Sequence, residues 1–417
     1  MQQAVEIPKG KMDNKRLFSI ILVVFMDLLG YSLILPLLPY YAQTFHANQT
    51  VTGLLLASYS IMQLIGAPIL GRLSDRFGRR PILLLCLLGT TLGFLLMGLA
   101  ATLWMLFFSR MLDGLTGGNF NVVQAYISDV TDEKDRAKAL GMTGAAFGLG
   151  FIVGPVTGGL LGQLNPALPA FVAAAISSIN LVLVYFWLPE SLTAEKRAHM
   201  TEKKPAVTLN ALLVALRRPF ISSLFITGFF FGLAFVVLQT IFPLHAIVKF
   251  NMTSFQTGLV LTYVGVLSVI MQGFLVGRLT SRFREDALMV VSAILLGLGL
   301  LTWGLAPNVL WLYVATTPIS LFGGLLGVLL SSTLTKAVAP HEIGGILGLY
   351  AAVDSSTRVI APILGGILLQ QVGTWAPGTF GFILMAGVSI YIFTAIYNHP
   401  IFTALKQNET TSFPALD

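Results

Sequence analysis

The 417-residue chain is 55% hydrophobic and only 10% charged, with a mean hydropathy of +0.83. Soluble domains carry about 25% charged residues, so a fully water-facing globular surface is excluded. The net charge of +7 does not mark a nucleic-acid partner, because the basic residues sit in short clusters between long apolar runs, the pattern of membrane proteins.

A membrane-spanning helix needs about 20 mostly apolar residues. The first apolar run, residues 17–41, is too long for a signal-peptide core and lacks a small-residue cleavage site, so it is predicted as span 1. Five more spans are predicted at 51–71, 81–101, 103–128, 139–162 and 167–188. A polar stretch then follows, with Lys196, Arg197, Lys203, Lys204, Arg217 and Arg218. Six further spans are predicted at 220–247, 255–277, 287–306, 308–335, 344–369 and 378–398. The predicted organisation is a tail (1–16), an N-terminal six-helix bundle (17–188), a linker (189–219), a C-terminal six-helix bundle (220–398) and a second tail (399–417). The fold class is all-α integral membrane, with twelve transmembrane helices in two pseudo-symmetric bundles.

Of the 25 Lys and Arg residues, two lie within spans and one in an outer loop; the other 22 fall in the tails, alternate loops and the linker. By the positive-inside rule both termini and the linker are cytoplasmic, in the inner or plasma membrane. The single cysteine, Cys86, lies within a span and reads as a packing residue.

The halves repeat one another. Gly71-Arg72-Leu73-Ser74-Asp75-Arg76-Phe77-Gly78-Arg79-Arg80-Pro81 has a degraded copy, Gly277 to Asp286, 206 residues on, with Ser281 in place of Asp75. Gly154-Pro155 with Gly158-Gly159 in span 5 matches Ala361-Pro362 with Gly365-Gly366 in span 11, at an offset of 207. Parallel repeats of this kind relate the halves of two-fold transporters.

Several intramembrane polar residues are candidates for function. Asp27 is predicted ten residues into span 1, about 15 Å deep. A carboxylate there needs a partner or a proton, and an acid that alternates between the two can couple transport to protons. Its plain alternative is a helix–helix hydrogen bond. Arg110 and Asp113 are spaced i, i+3 in span 4, and Asp354 and Arg358 are spaced i, i+4 in span 11; each pair is either a coupling element or a self-neutralising structural pair. Asn119, Asn121 and Gln124 continue the polar character of span 4, as substrate contacts or as helix glue. Span 7 carries Phe229, Phe230, Phe231, Phe235, Gln239, Phe242 and His245, an aromatic wall suited to a lipophilic substrate or to packing. Tyr31, Gln239 and Tyr263 complete the candidate lining, and His245 is expected near the outer interface. In the opening motif, Gly71 is expected to let two helices approach, and Gly78 to adopt a positive φ. Arg79 and Arg80 read first as anchors at an anionic membrane face. The glycines of span 5 (Gly141, Gly144, Gly148, Gly150, Gly154, Gly158, Gly159) with Pro155 predict a closely packed, bent helix between the two halves.

These motifs together resemble the major facilitator superfamily, from about Leu17 to about Asn398. Gly71 to Pro81 resembles its loop 2–3 signature, and Arg110-Met111-Leu112-Asp113-Gly114 with Gly117-Gly118 its span 4 arginine motif. Gly144, Gly148, Gly154, Pro155, Gly158 and Gly159 resemble the span 5 motif of antiporters. Asp27-Leu28-Leu29-Gly30 with Leu35-Pro36-Leu37-Leu38-Pro39 resembles the twelve-span drug:proton antiporter group. Ala125 to Thr131 leading to Asp135-Arg136-Ala137 is similar to tetracycline/proton antiporters. The resemblance implies a proton-coupled antiporter; the alternative is a facilitator or symporter for a nutrient or metabolite that carries the same charges as structural pairs. It implies that Asp75 bridges to spans 4 and 11, with Gly71, Arg72, Arg76, Gly78, Arg79 and Asp129 in the same conformational latch. Expected partners are a small amphiphilic substrate, protons and the lipid bilayer, the protein acting as a monomer without nucleic acid. No nucleotide loop, nucleophile elbow or metal-ligand spacing occurs, so neither an enzyme nor a cofactor or metal is expected, and the short linker and tails leave little room for a receptor domain.

Overall fold

The computed structural model describes residues 14–131, 133–192, 216–339, 342–397 and 399, with side chains from Leu17 on and excluding those of 133–138 and 140. Residues 1–13 of the N-terminal tail, most of the linker, all of the C-terminal tail but His399, and the side chains of Asp135, Arg136 and Ala137 lie outside the described residues.

Among the described residues, eleven helices are each long and apolar enough to cross a membrane. In the first half they are Asn14–Ile34, Gln49–Phe77, Arg79–Gly98, Glu133–Leu164 and Leu168–Trp187, which form spans 1, 2, 3, 5 and 6. Span 1 breaks at Leu35-Pro36-Leu37 and resumes as a short helix, Leu38–Thr44. In the second half, spans 7, 9, 10 and 11 are Pro219–Phe250, Glu285–Leu305, Val309–Lys336 and Ile343–Gln371. Span 8 is Ser254–Ile270 continued through a π-turn, Met271–Leu275, into Val276–Arg282. Span 12 is Ala376–Tyr391 followed by a π-turn, Ile392–Ile396.

Span 4 departs from the continuous helix expected over 103–128. It consists of two helices, Leu103–Thr116 and Asn119–Val130, broken at Gly117-Gly118. A break inside a membrane frees backbone groups that lipid cannot satisfy. Here Gln63 of span 2 donates its side-chain amide to the Gly117 carbonyl at 2.9 Å, and Thr116 turns its hydroxyl back on the carbonyls of Leu112 and Asp113. A Cβ at Gly118 would lie 2.8 Å from the Leu70 side chain, so glycine also lets span 2 approach the break.

The chain forms two compact units. One comprises the described residues up to Tyr41 and those from Ile61 to Leu192; the other comprises Ala42–Ser60 and those from Leu216 onward. The N-terminal end of span 2 therefore belongs with the second half, where the expected boundary put it in the first. The reason is close packing on span 11: a Cβ at Gly366 would lie 2.6 Å from the Gln49 carbonyl oxygen, and one at Gly53 would strike the Pro362 carbonyl. The Thr50 amide also donates to Gln370 Oε1 at 3.0 Å.

The first unit is held by span 1 against spans 3 to 6. Ile20, Val23, Val24 and Leu28 pack with Leu83, Cys86, Leu87, Tyr126 and Ile127. Small polar groups tie the helices where lipid offers no hydrophobic drive. Ser32 donates to the Gly150 carbonyl at 2.8 Å, Asn180 to that of Val23 at 3.0 Å, and Thr91 to Ser177 at 2.9 Å. The second unit packs Leu296, Leu300 and Trp303 of span 9 against Leu312, Leu326 and Leu330 of span 10. Equivalent glycines serve both units: Gly158 of span 5 abuts the Leu33 backbone of span 1, and Gly365 of span 11 abuts Ile241 of span 7.

Candidate functional site

The break in span 4 creates the main polar cluster. Asn119 opens the second half-helix, and its Oδ1 accepts from the Phe120 amide at 2.8 Å. That leaves the side-chain NH2 as the donor toward Asp27, with which Asn119 hydrogen-bonds. Asp27 thus faces the N-terminal end of a half-helix, where the helix dipole favours negative charge. Asp113 is the second carboxylate acting on Asp27. It is buried, pairs with Arg110 at 3.0 Å and accepts a hydrogen bond from Thr90. The Arg110 guanidinium lies 5.6 Å from the Phe94 ring centroid. A Cβ at Gly93 would come within 2.9 Å of Asp113 Cβ, so glycine is needed for span 3 to lie against the acid. Spans 1, 3 and 4 therefore place two carboxylates beside one guanidinium. Sequence reasoning found Asp27, Arg110, Asp113 and Asn119. It missed Thr90, Gly93 and Phe94, which look like ordinary span residues until span 3 is laid on span 4.

The other predicted lining residues fall into two groups. Tyr31, one turn beyond Asp27, lies 6.5 Å from Phe151, which stacks on Phe147 at 4.7 Å. This aromatic group adjoins the acid cluster along span 1. Asn121 and Gln124 are exposed, and Gln239 is partly exposed. Tyr263 shares a 2.7 Å hydrogen bond with Thr317 and packs edge-on against Tyr313. The aromatic wall of span 7 is in part core: Phe231 stacks on Phe235, and Phe242 is buried against Trp303. His245, expected at the interface, is fully buried, 4.7 Å from the Trp303 ring. Span 7 turns this face inward because Trp303 and its neighbours fill the second unit's core.

At the other end of the first unit, Arg79 is the centre of a second network. Expected as a membrane-surface anchor, it is only 3% exposed. It pairs with Asp75 at 2.6 Å and with Asp129, at the end of span 4, at 3.1 Å, and donates to Ser74 Oγ at 2.7 Å. Asp75 thus pairs locally, and its link to span 4 runs through Arg79. Gly78 has φ +110°, the conformation expected of it. Gly71 does not serve close approach: a Cβ there would meet nothing within 4 Å. Arg72 and Arg76 are exposed. The start of the predicted linker is docked here. Glu190 accepts the amides of Arg79, Arg80, Ser191 and Leu192, so a carboxylate caps the N-terminus of span 3. Ser191 donates to Asp129 at 3.1 Å.

The degraded repeat carries the same bridge with its charges reversed. Glu285 stands where Arg79 does and pairs at 2.7 Å with Lys336, the counterpart of Asp129 at the end of span 10. Replacing Arg79 by Gln would leave Asp75 and Asp129 facing one another with 22% and 12% exposure and no shared cation. Breaking a largely buried pair costs about 3 kcal/mol or more, so a lowered thermal unfolding midpoint is expected for Arg79→Gln in detergent and little change for Arg72→Gln.

The sequence model of the Major Facilitator Superfamily matches residues 20–284 and again 224–414. The chain belongs to this superfamily. Tetracycline resistance protein, class B, of Escherichia coli is 31% identical over 384 residues, covering 89% of this chain and 92% of that protein. Multidrug resistance protein 2 of Bacillus subtilis (strain 168) is 30% identical over 381 residues, covering 91% and 95%. Among solved structures, the nucleoside transporter NupG aligns with a TM-score of 0.72 at 14% identity, covering 94% of this chain and 99% of that one. The human organic anion transporter MFSD10 (TETRAN) aligns at 0.68 and 21% identity, covering 92% and 100%. The major facilitator protein is thus a multi-pass membrane transporter and not an enzyme.

In this superfamily member the span 5 glycines do not act as one stripe. Gly150, Gly154 and Gly158 pack on Leu28, Ser32 and Leu33 of span 1, within their own unit. Gly141 and Gly144 would have nothing within 4 Å of a Cβ; Gly148 is partly exposed and Gly159 buried. The helix runs unbroken through Pro155. Asp354 and Arg358 form their expected pair at 3.0 Å, both close to half-exposed.

Proposed function

We propose that this transporter is a proton-coupled antiporter that exports a small amphiphilic molecule across the plasma membrane by alternating access. The observation that carries the reading is the pairing of Asp27 with Asn119 beside Asp113, which Arg110 already neutralises. With both acids ionised the cluster holds one negative charge more than its single guanidinium cancels. A proton on Asp27, or a cationic or hydrogen-bonding group of a substrate, can balance it. Proton and substrate then compete for one site, which is what exchange requires. Tyr31, Phe151 and Phe147 offer flat apolar contact next to that charge, suiting a molecule with an aromatic body and a polar handle.

The tetracycline and multidrug resistance relatives support this substrate class. Asp354 and Arg358 act as a second, subordinate element in the second unit, while the Arg79 network is the latch that responds to the cluster. Both termini face the cytoplasm, and the single chain suffices for transport. The test uses proteoliposomes loaded with a pH indicator. Adding tetracycline, or another member of an amphiphilic drug panel, is expected to drive measurable proton movement in the opposite direction. Substrate flux indifferent to a pH gradient would instead identify a facilitator.

A further inference from the structure

We propose that the groove between spans 3 and 6 binds an anionic phospholipid, with one acyl chain in the groove and the phosphate on Arg80. The groove has a volume of about 480 Å³ and is lined only by apolar and aromatic residues, among them Leu85 and Leu88 of span 3 and Val182 and Phe186 of span 6. From Pro81 to Leu88 it follows span 3 for roughly 10 Å, enough to hold a good part of an acyl chain.

Arg80 stands at its mouth. The guanidinium lies 5.6 Å from the ring centroid of Tyr185, itself a groove residue, and Nη2 donates to the Tyr185 carbonyl. Its Nε is buried and without a partner. Glu190, the nearest acid along the network, is taken up by four backbone amides, and among the described residues no carboxylate forms an ion pair with Arg80. Arg79, one residue away, is fully engaged by Asp75 and Asp129. The site therefore presents an apolar channel and, at the point where the span enters the polar boundary, a guanidinium with no carboxylate partner among the described residues. That combination matches an anion carrying an acyl chain. A zwitterionic lipid brings its own cation to the same place and gains less.

The test is native mass spectrometry of the full-length protein, delipidated in detergent and offered equal dioleoyl-phosphatidylglycerol and dioleoyl-phosphatidylcholine. Phosphatidylglycerol is expected to be retained about fivefold more, the scale of one basic residue at an anionic surface. Arg80→Gln should remove that preference, whereas Arg282→Gln, which deletes an exposed charge in the other half, should keep it. Leu88→Trp leaves Arg80 untouched but fills the groove, and should lower retention of dioleoyl-phosphatidylglycerol to the level of the phosphatidylcholine. It decides the matter if Arg80→Gln does not fold. Equal retention of the two lipids by the unaltered protein would overturn the proposal. So would an Arg282→Gln effect as large as that of Arg80→Gln, or undiminished lipid retention by Leu88→Trp.

Discussion

Asp27→Asn is expected to abolish efflux driven by a pH gradient while leaving folded, membrane-inserted protein at its usual yield. Asparagine keeps the size of the side chain and can still accept the hydrogen bond from Asn119. It removes a negative charge that faces Asp113, and the repulsion relieved offsets the helix-end attraction lost. What it removes is the proton site. Asp113→Asn makes the useful contrast, because it strips Arg110 of its 3.0 Å carboxylate partner inside the membrane. Leaving one member of a buried pair alone costs about 3–5 kcal/mol, so that variant should lose yield as well as transport. Drug accumulation in a transporter-deficient host, with and without an uncoupler, reads the first effect; size-exclusion yield in detergent reads the second. Unchanged uncoupler-sensitive efflux by Asp27→Asn would rule out Asp27 as the proton carrier.

Gly158→Leu should markedly lower the thermal unfolding midpoint, whereas Gly144→Leu should leave it nearly unchanged. Both residues lie on one helix, so the change in helix propensity is the same for each. They differ in what a side chain would meet. A Cβ at Gly158 would lie 3.1 Å from the carbonyl carbon of Leu33 and closer still to its oxygen. These are backbone atoms of span 1 and cannot rotate away. A Cβ at Gly144 meets nothing within 4 Å. Overpacking a tight contact costs about 1–3 kcal/mol for a few methylenes, and a leucine pressed on backbone belongs at or above the top of that range. Thermal unfolding midpoints of the two variants give the comparison; equal midpoints would show that span 5 does not rely on this approach.

Much of this could be read from the chain because membrane insertion is governed by local properties. Length and hydropathy locate spans, basic residues mark loops, and the 206- and 207-residue offsets expose the duplication. Asp27, Arg110 and Asp113 stood out because charge within an apolar run is rare. The glycine stripe was legible only as a composition. Which glycines touch a neighbour depends on how span 5 is rotated toward span 1, and hydropathy around a lipid-facing helix hardly varies with angle.

The amino-acid sequence alone determined the architecture, the family and the intramembrane charges, since each depends on residues near one another in the chain. Tertiary structure alone decided the partners. It broke span 4 at Gly117-Gly118 and so brought Asn119 to Asp27, buried Arg79 between Asp75 and Asp129, and paired Glu285 with Lys336 as its charge-reversed counterpart. Spacing of three or four residues on one helix announces the pairs Arg110–Asp113 and Asp354–Arg358, but Asn119 with Asp27, Arg79 with Asp129 and Glu285 with Lys336 lie on different helices, and only packing brings them together.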